Sequence, residues 1–307
     1  MRSYVGQRGG LRRTAREARE LYVMHVARAE ERVDAGLATV EEIKGLLQER
    51  YDVTMGGLDI LDIGTGQQLI QLTAFAQSNR VVGIDLDVVA AGFDLPSYWR
   101  MLRVNGARRT AKTLVRKAAA IDKRYAVALR RRLGPGGKPP RVLQMDVSAM
   151  DLADSSFDFA YCASVFQHLP DPGLALDEMA RVLRPGGVGY LTLQLWTSET
   201  GSLDPRLGGD RSAIPLWAHL RPLQQHVVAG NAYLNRLRLG AWYTAFEAHW
   251  PGAVVDLGQP DRVRLEPDAR ALQAAGELGD FDLEELVTHD LRVSWQKPTT
   301  VAVTQPR

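Results

Sequence analysis

A single cysteine, Cys162, among 307 residues excludes an internal disulfide and any multi-cysteine zinc site, and it fits a reducing compartment. No apolar run reaches the roughly 20 residues that span a bilayer, and the arginine-bearing N-terminus has no hydrophobic signal core. These absences predict a soluble, cytoplasmic protein with no membrane partner. An excess of one charge is lacking too: 38 Lys and Arg stand against 36 Asp and Glu, and a net charge of +2 is too small to argue for nucleic acid by itself. No cluster of His and carboxylates falls at ligand spacing, so no metal is expected. With 45% hydrophobic residues, the chain can bury a full core in one large α/β domain with additions.

The most informative stretch is LDIGTG at 61–66, followed by VVGIDLD at 81–87. An apolar strand ending in the acid Asp62 and running into Gly64 and Gly66, then a second apolar strand ending in Asp85, is how a doubly wound sheet builds a pocket for an adenosine. Glycine lets the backbone approach a ligand and take positive φ, and a carboxylate at a strand end can accept from both ribose hydroxyls. A tight strand-to-helix turn without a ligand uses the same two glycines, so the loop needs support from the rest of the chain. Where a dinucleotide site carries a third Gly or Ala, this chain has Leu69, after Gln67 and Gln68. A bulky residue there suits a cofactor with no pyrophosphate better than NAD, and S-adenosylmethionine is such a compound.

Apolar runs near 58–63, 80–85, 141–145, 157–162 and 188–194, with helical segments between them, predict strands of a parallel sheet. Two more strand-like runs near 253–257 and 290–296 bring the count to seven. Apolar periodicity over 11–32 and 40–50 predicts a helical N-terminal extension covering 1–57.

Residues 141–193, RVLQMDVSAMDLADSSFDFAYCASVFQHLPDPGLALDEMARVLRPGGVGYLTL, taken with the glycine loop, resemble class I S-adenosylmethionine-dependent methyltransferases of the small-molecule, type 11-like kind. The resemblance covers about residues 58–195. It implies a Rossmann-like methyltransferase fold over 58–307, doubly wound and seven-stranded, mostly parallel with an antiparallel last strand, and S-adenosylmethionine as cofactor. The cofactor residues it implies are Asp62, Gly64, Gly66, Gln68, Asp85, Leu86, Asp146, Val147 and Ser164. In such enzymes the acid at Asp146 takes the adenine's exocyclic amine, a backbone N–H beside it meets a ring nitrogen, and the end of the fourth strand faces the transferred methyl. LRPGG at 183–187 matches a turn into the fifth strand, with Pro185 stopping a helix. Gln67 and Gln68 depart from the family's third glycine; such a side chain could pinch the methionine end of the cofactor or hydrogen-bond its amino or carboxylate group, and the second is favoured.

Two insertions depart from this plan. About sixty residues separate Asp85 from Asp146, where a crossover needs about a dozen. The extra segment, about 95–140, is expected to be helical and basic: from Arg100 to Arg141, fourteen Lys and Arg stand against Asp122 alone. Such a field could attract an anionic acceptor or RNA. The plainer reading is a solvated face of one or two helices with Leu102, Val104, Leu114, Val115, Ile121, Tyr125 and Leu129 turned inward. The second insertion, about 196–230, precedes a helix expected over 231–250 and holds Trp196, Trp217, His219, Arg221 and His226. It reads equally as a lid over an acceptor and as a surface excursion.

His168, just past the fourth strand, is the first candidate general base; His219 and His226 follow if the second insertion is a lid. Each reads as well as a hydrogen-bonded histidine with no catalytic part. The expected activity is O-methylation of a small molecule, a sugar or secondary metabolite, with an acceptor that could be anionic. RNA methylation is the alternative enzyme reading, and a non-catalytic S-adenosylmethionine-binding protein is the alternative of another class. Nucleic acid is not favoured, because aromatic interleaving in the basic segment is thin, at Trp99 and Tyr125. Oligomeric state is left open.

Overall fold

The structure is a computed structural model that describes residues 28–88, 95–134, 140–208, 214–230, 232–259 and 261–299. The helix expected over 11–32 lies almost wholly outside the described residues. The described chain falls into two compact units, one holding 28–162, 174–190 and 295–299 and the other 163–173 and 191–294.

In the first unit, α1 (Ala29–Tyr51) buries Val33, Val40, Ile43 and Leu47, a stripe at helical spacing, and stops where Asp52 turns left-handed at φ 54°. There follow β1 (Asp59–Ile63), α2 (Ile70–Phe75) and β2 (Arg80–Asp85). Then come α3 (Leu95–Val104), α4 (Ala107–Ala118) and α5 (Ile121–Leu133), three helices where one or two were expected. The unit continues through β3 (Arg141–Gln144), β4 (Phe157–Ala163), α6 (Pro172–Val182) and β5 (Leu183–Gln194), the last strand crossing into the second unit. Seven strands form one sheet in the order β3-β2-β1-β4-β5-β7-β6. β1 runs parallel to both β2 and β4, and β2 parallel to β3. The central strands are buried on both faces, which is why β1 and β4 are mostly apolar rather than alternating, with Asp62 the buried exception in β1. Phe75 of α2 meets Phe159 and Tyr161 of β4 edge-on, and Tyr161 stacks on Tyr190.

The LRPGG segment is not a turn. β5 begins directly after α6; Gly186 takes φ 81° within it, and its N–H donates to Lys297 O (2.8 Å) while Lys297 N–H donates to Gly187 O (2.9 Å). Lys297 Nζ also caps α6, donating to Ala180 O and Leu183 O.

In the second unit are α7 (Leu239–His249), β6 (Val254–Gly258), α8 (Arg262–Ala274), α9 (Leu283–Val287) and β7 (Asp290–Gln296). β6 and β7 pair antiparallel, as expected of the last strand. The helix expected over 231–250 begins only at Leu239. Before it, Asn235 donates its side-chain amide to Phe166 O and Leu169 O, and Arg238 pairs with Glu285, so extended backbone is held by tertiary partners.

Candidate functional site

In an open α/β sheet a ligand sits outside the carboxyl ends of the strands, where chain order reverses; here that is between β1 and β4. The glycine loop leaves β1 at this edge. Gly64 and Gly66 take φ of 73° and 61°, and the N–H groups of Gly64 and Thr65 donate to Ile84 O at 2.8 and 3.3 Å. A Cβ added at Gly66 would meet no heavy atom within 4 Å, so the backbone there borders open space.

Asp85 closes the loop from the end of β2. Its Oδ2 accepts from Gly66 N–H at 3.0 Å and its Oδ1 from Asp87 N–H at 2.9 Å. Each oxygen keeps a further lone pair. Burial raises the Asp85 carboxyl above its usual range, against the pull of those backbone donors. Asp62, 3% exposed, is pushed up to about 8 by burial and then by the Asp85 charge. It is therefore mostly protonated at neutral pH, so the buried strand ends carry the charge of Asp85 without a second full charge beside it.

Met145 N–H donates to Asp85 O at 2.9 Å, tying the end of β3 to that of β2. Beyond it, Asp146 Oδ1 accepts from Ser148 N–H at 2.9 Å, which orients its carboxylate, and Val147 is buried. Leu86 O accepts from the Gln144 side chain at 3.5 Å. The structure thus brings Asp62, Gly64, Gly66, Asp85, Leu86, Asp146 and Val147 to one edge of the sheet. A loop with no Cβ in the way and two carboxylates with lone pairs to spare fit the adenosine part of S-adenosylmethionine.

Gln67 is engaged from within the protein. Its Oε1 accepts from Arg116 Nη2 of α4 at 2.8 Å, while Arg116 Nε and Lys117 Nζ each lie 2.9 Å from the Asp122 carboxylate. The contact of Arg116 with the glycine loop is not readable from sequence, because nothing distinguishes it there from thirteen other cations. Leu69, at the third-glycine position, takes left-handed φ 54° and ψ 33°, the conformation a glycine would adopt without strain.

Gln68 is half-buried in the turn before α2, and the other candidates lie in the second unit. Ser164 follows β4, exposed and left-handed at φ 56°, with its N–H on Thr192 O at 2.8 Å. His168 sits in the 3-10 turn Phe166–His168, its Nδ1 2.7 Å from Tyr233 O. A carbonyl only accepts, so Nδ1 carries the hydrogen and Nε2 the lone pair. Burial lowers the His168 pKa, which keeps the ring neutral at pH 7. His219 is buried edge-on against Trp196, its Nε2 2.8 Å from Trp196 O, and burial lowers it to about 4. His226 is exposed in the turn Gln225–Val227.

The second insertion is no surface excursion. Trp217 is fully buried and packs with Leu220, Leu265, Leu278 and Leu286, and Thr197 to Asp204 is buried at nearly every position. Cys162 is buried and its thiol is pushed well up by that burial, which leaves it inert.

Residues 104–191 match the methyltransferase-domain family. An uncharacterized methyltransferase of Mycobacteroides abscessus is 27% identical over 147 residues, covering 46% of this chain and 48% of that protein. One of Mycobacterium ulcerans is 36% identical over 81 residues, covering 25% and 32%. The chain thus spans about half the length, or less, of the curated relatives it matches. Among solved structures, Haemonchus contortus phosphoethanolamine N-methyltransferase 2 in complex with S-adenosyl-L-methionine superposes with a TM-score of 0.45 at 16% identity, covering 84% of this chain and 53% of that one. An S-adenosylmethionine-dependent methyltransferase of Mesorhizobium loti gives 0.39 at 18%, covering 79% and 92%. The strand order is that of a Rossmann-like, doubly wound methyltransferase fold, and residues 104–191 are similar to the methyltransferase-domain family. The family match begins at residue 104 and leaves out the glycine loop, the part where Gln67 and Gln68 depart from the family's pattern.

Proposed function

We propose that the chain methylates an oxygen of a small molecule, a sugar or secondary metabolite, with His168 as general base. S-adenosylmethionine, when bound, supplies a methyl group already activated by its sulfonium. Asp85 would hold the ribose hydroxyls, Asp146 and the backbone of Val147 the adenine, and the Gly64–Gly66 loop the approach to the methionine part. What remains for the protein is to orient the acceptor and take its proton. Orientation can contribute about 7 to 11 kcal/mol of the barrier, and a placed base about 10²- to 10⁴-fold.

The observation that carries the oxygen reading is the His168 tautomer: a neutral ring whose Nδ1–H is fixed on Tyr233 O has Nε2 ready to accept a hydroxyl proton. Nitrogen or carbon acceptors have less need of such a group. In this reading the protein acts in the cytoplasm. Methyl-labelled S-adenosylmethionine offered with a panel of hydroxylated sugars and phenols tests it. Label should enter an ether, and His168→Gln should slow transfer by at least about 100-fold with S-adenosylhomocysteine affinity intact. Label on nitrogen, or an unaffected His168→Gln rate, would sink the proposal.

A further inference from the structure

The basic insertion turns its apolar side outward. In α4, Thr110 and Thr113 are buried, and Arg116 and Lys117 point inward to Asp122. On the other side Ala107, Ala111, Leu114, Val115 and Ala118, spaced i, i+4, i+7, i+8 and i+11, are exposed, Val115 at 69%. α3 repeats the pattern: Leu95, Trp99 and Leu102 are 87%, 60% and 41% exposed while Met101 is buried. Leu102, Val104, Leu114 and Val115 were expected to turn inward; of the seven apolar residues named for that face, only Ile121, Tyr125 and Leu129 do. The polar side of α4 is engaged by its own ion pairs, so those contacts set the helix's rotation and leave the apolar stripe facing out.

Around this stripe cations outnumber carboxylates. Arg103 lies over the Trp99 ring, 5.2 Å from its centroid, and Lys123, Arg124 and Arg130 are exposed on α5, which packs on α4. The only acid between Arg100 and Arg141, Asp122, is occupied by Arg116 and Lys117. A scattered exposed leucine needs no explanation. Two consecutive helices with outward apolar stripes, an amphipathic tryptophan and an excess of exposed cations match a surface that lies in a lipid interface. A second copy of this chain would bring the same cations face to face.

We propose that α3 and α4 form a docking surface for an anionic lipid bilayer, with Leu95, Trp99, Leu102, Leu114 and Val115 entering the boundary between headgroups and acyl chains and the flanking Lys and Arg meeting the headgroups. The expectation of no membrane partner rests on the lack of a spanning segment, and such a surface lies on a bilayer without crossing it. The proposal is independent of the reaction and its acceptor.

Flotation of the intact protein with vesicles tests it. The protein should rise with an equimolar phosphatidylcholine–phosphatidylglycerol mixture and not with phosphatidylcholine alone, and added salt should weaken the association. The triple change Trp99→Ser, Leu114→Ser, Val115→Ser should lower partitioning at least about tenfold while S-adenosylhomocysteine affinity and circular dichroism hold. Lys123→Glu with Arg124→Glu should lower it as well. Should the triple variant fail to fold, Trp99→Phe reports instead: it should remove most of the blue shift that anionic vesicles induce in tryptophan fluorescence. No flotation with anionic vesicles, undiminished flotation of the folded triple variant, a blue shift that survives Trp99→Phe, or a concentration-dependent dimer in place of vesicle binding would each overturn the assignment.

Discussion

Asp85 and Asp62 have adjacent carboxyls with opposite duties, and each can be tested alone. Asp85→Ala removes the acceptor of two backbone N–H groups and of the ribose, with hydrogen bonds to a charged group worth about 1.5 to 3 kcal/mol each. Calorimetry should show S-adenosylhomocysteine binding weakened at least about tenfold; unchanged affinity in a folded variant would refute the ribose assignment. Asp62 predicts a pH effect. Its carboxyl titrates near 8 when folded against 3.8 unfolded, so the folded state binds the extra proton between those values. Its contribution to stability is whole below about pH 4 and is lost as pH rises through about 8. Thermal melts of the ligand-free protein should therefore show wild type losing ground to Asp62→Asn across that window, and parallel curves would mean that Asp62 is ionised. At Gly66 the two costs of a side chain separate. Gly66→Ala has no protein atom to strike, so ligand-free stability should fall only by the strain of positive φ, about 1 to 2 kcal/mol, while cofactor affinity should fall much further. Gly64, Gly66 and Asp85 were legible in sequence because backbone conformation and strand position restrict residue type. The Gln67 contact with Arg116 was not legible, because the two residues are 49 apart in sequence.

Among the elements, strands were read well and helix orientation poorly. A buried parallel strand is rich in apolar residues on both faces, so β1, β2 and β4 stand out in the sequence despite at least one acid in each. Helix α4 has equally clear periodicity, but periodicity reports two faces without saying which one meets the protein. Its rotation depends on Asp122 and Gln67, side chains outside the helix. The ion pairs between α5 and α1 were invisible for the same reason: Arg132 meets Asp34 at 2.9 Å and Glu30 at 3.2 Å, and Arg131 meets Glu30 at 3.0 Å. Arg132→Glu would set a carboxylate against two others, and the melting temperature should drop, with salt restoring part of the loss. A variant as stable as wild type would mean that the α1–α5 pairs contribute nothing in solution.

For the whole molecule, strand count, parallel pairing and the antiparallel last strand followed from alternating β and α segments and from the resemblance to methyltransferases. The two-unit division did not, because the chain leaves and re-enters each unit at 163, 174, 191 and 295 without a composition change to mark it. Net charge at this scale decides how far the RNA reading can go. Of the fourteen cations from Arg100 to Arg141, Arg109 pairs with Asp87, Arg116 and Lys117 with Asp122, and Arg131 and Arg132 with Glu30 or Asp34, so five already face carboxylates. A chain of net +2 with so much of its basic segment neutralised should hold single-stranded RNA weakly, since each phosphate contact adds only about 0.7 to the salt slope. Reversal at Arg130, Arg131 and Arg132 would disturb α1 as well as any ligand, so Lys123→Glu with Arg124→Glu is the cleaner probe. Titration of RNA across a salt series should give low affinity and a shallow slope that this double reversal barely moves. A tight complex with a steep slope, lost on the double reversal, would instead make RNA the substrate and displace the small-molecule reading.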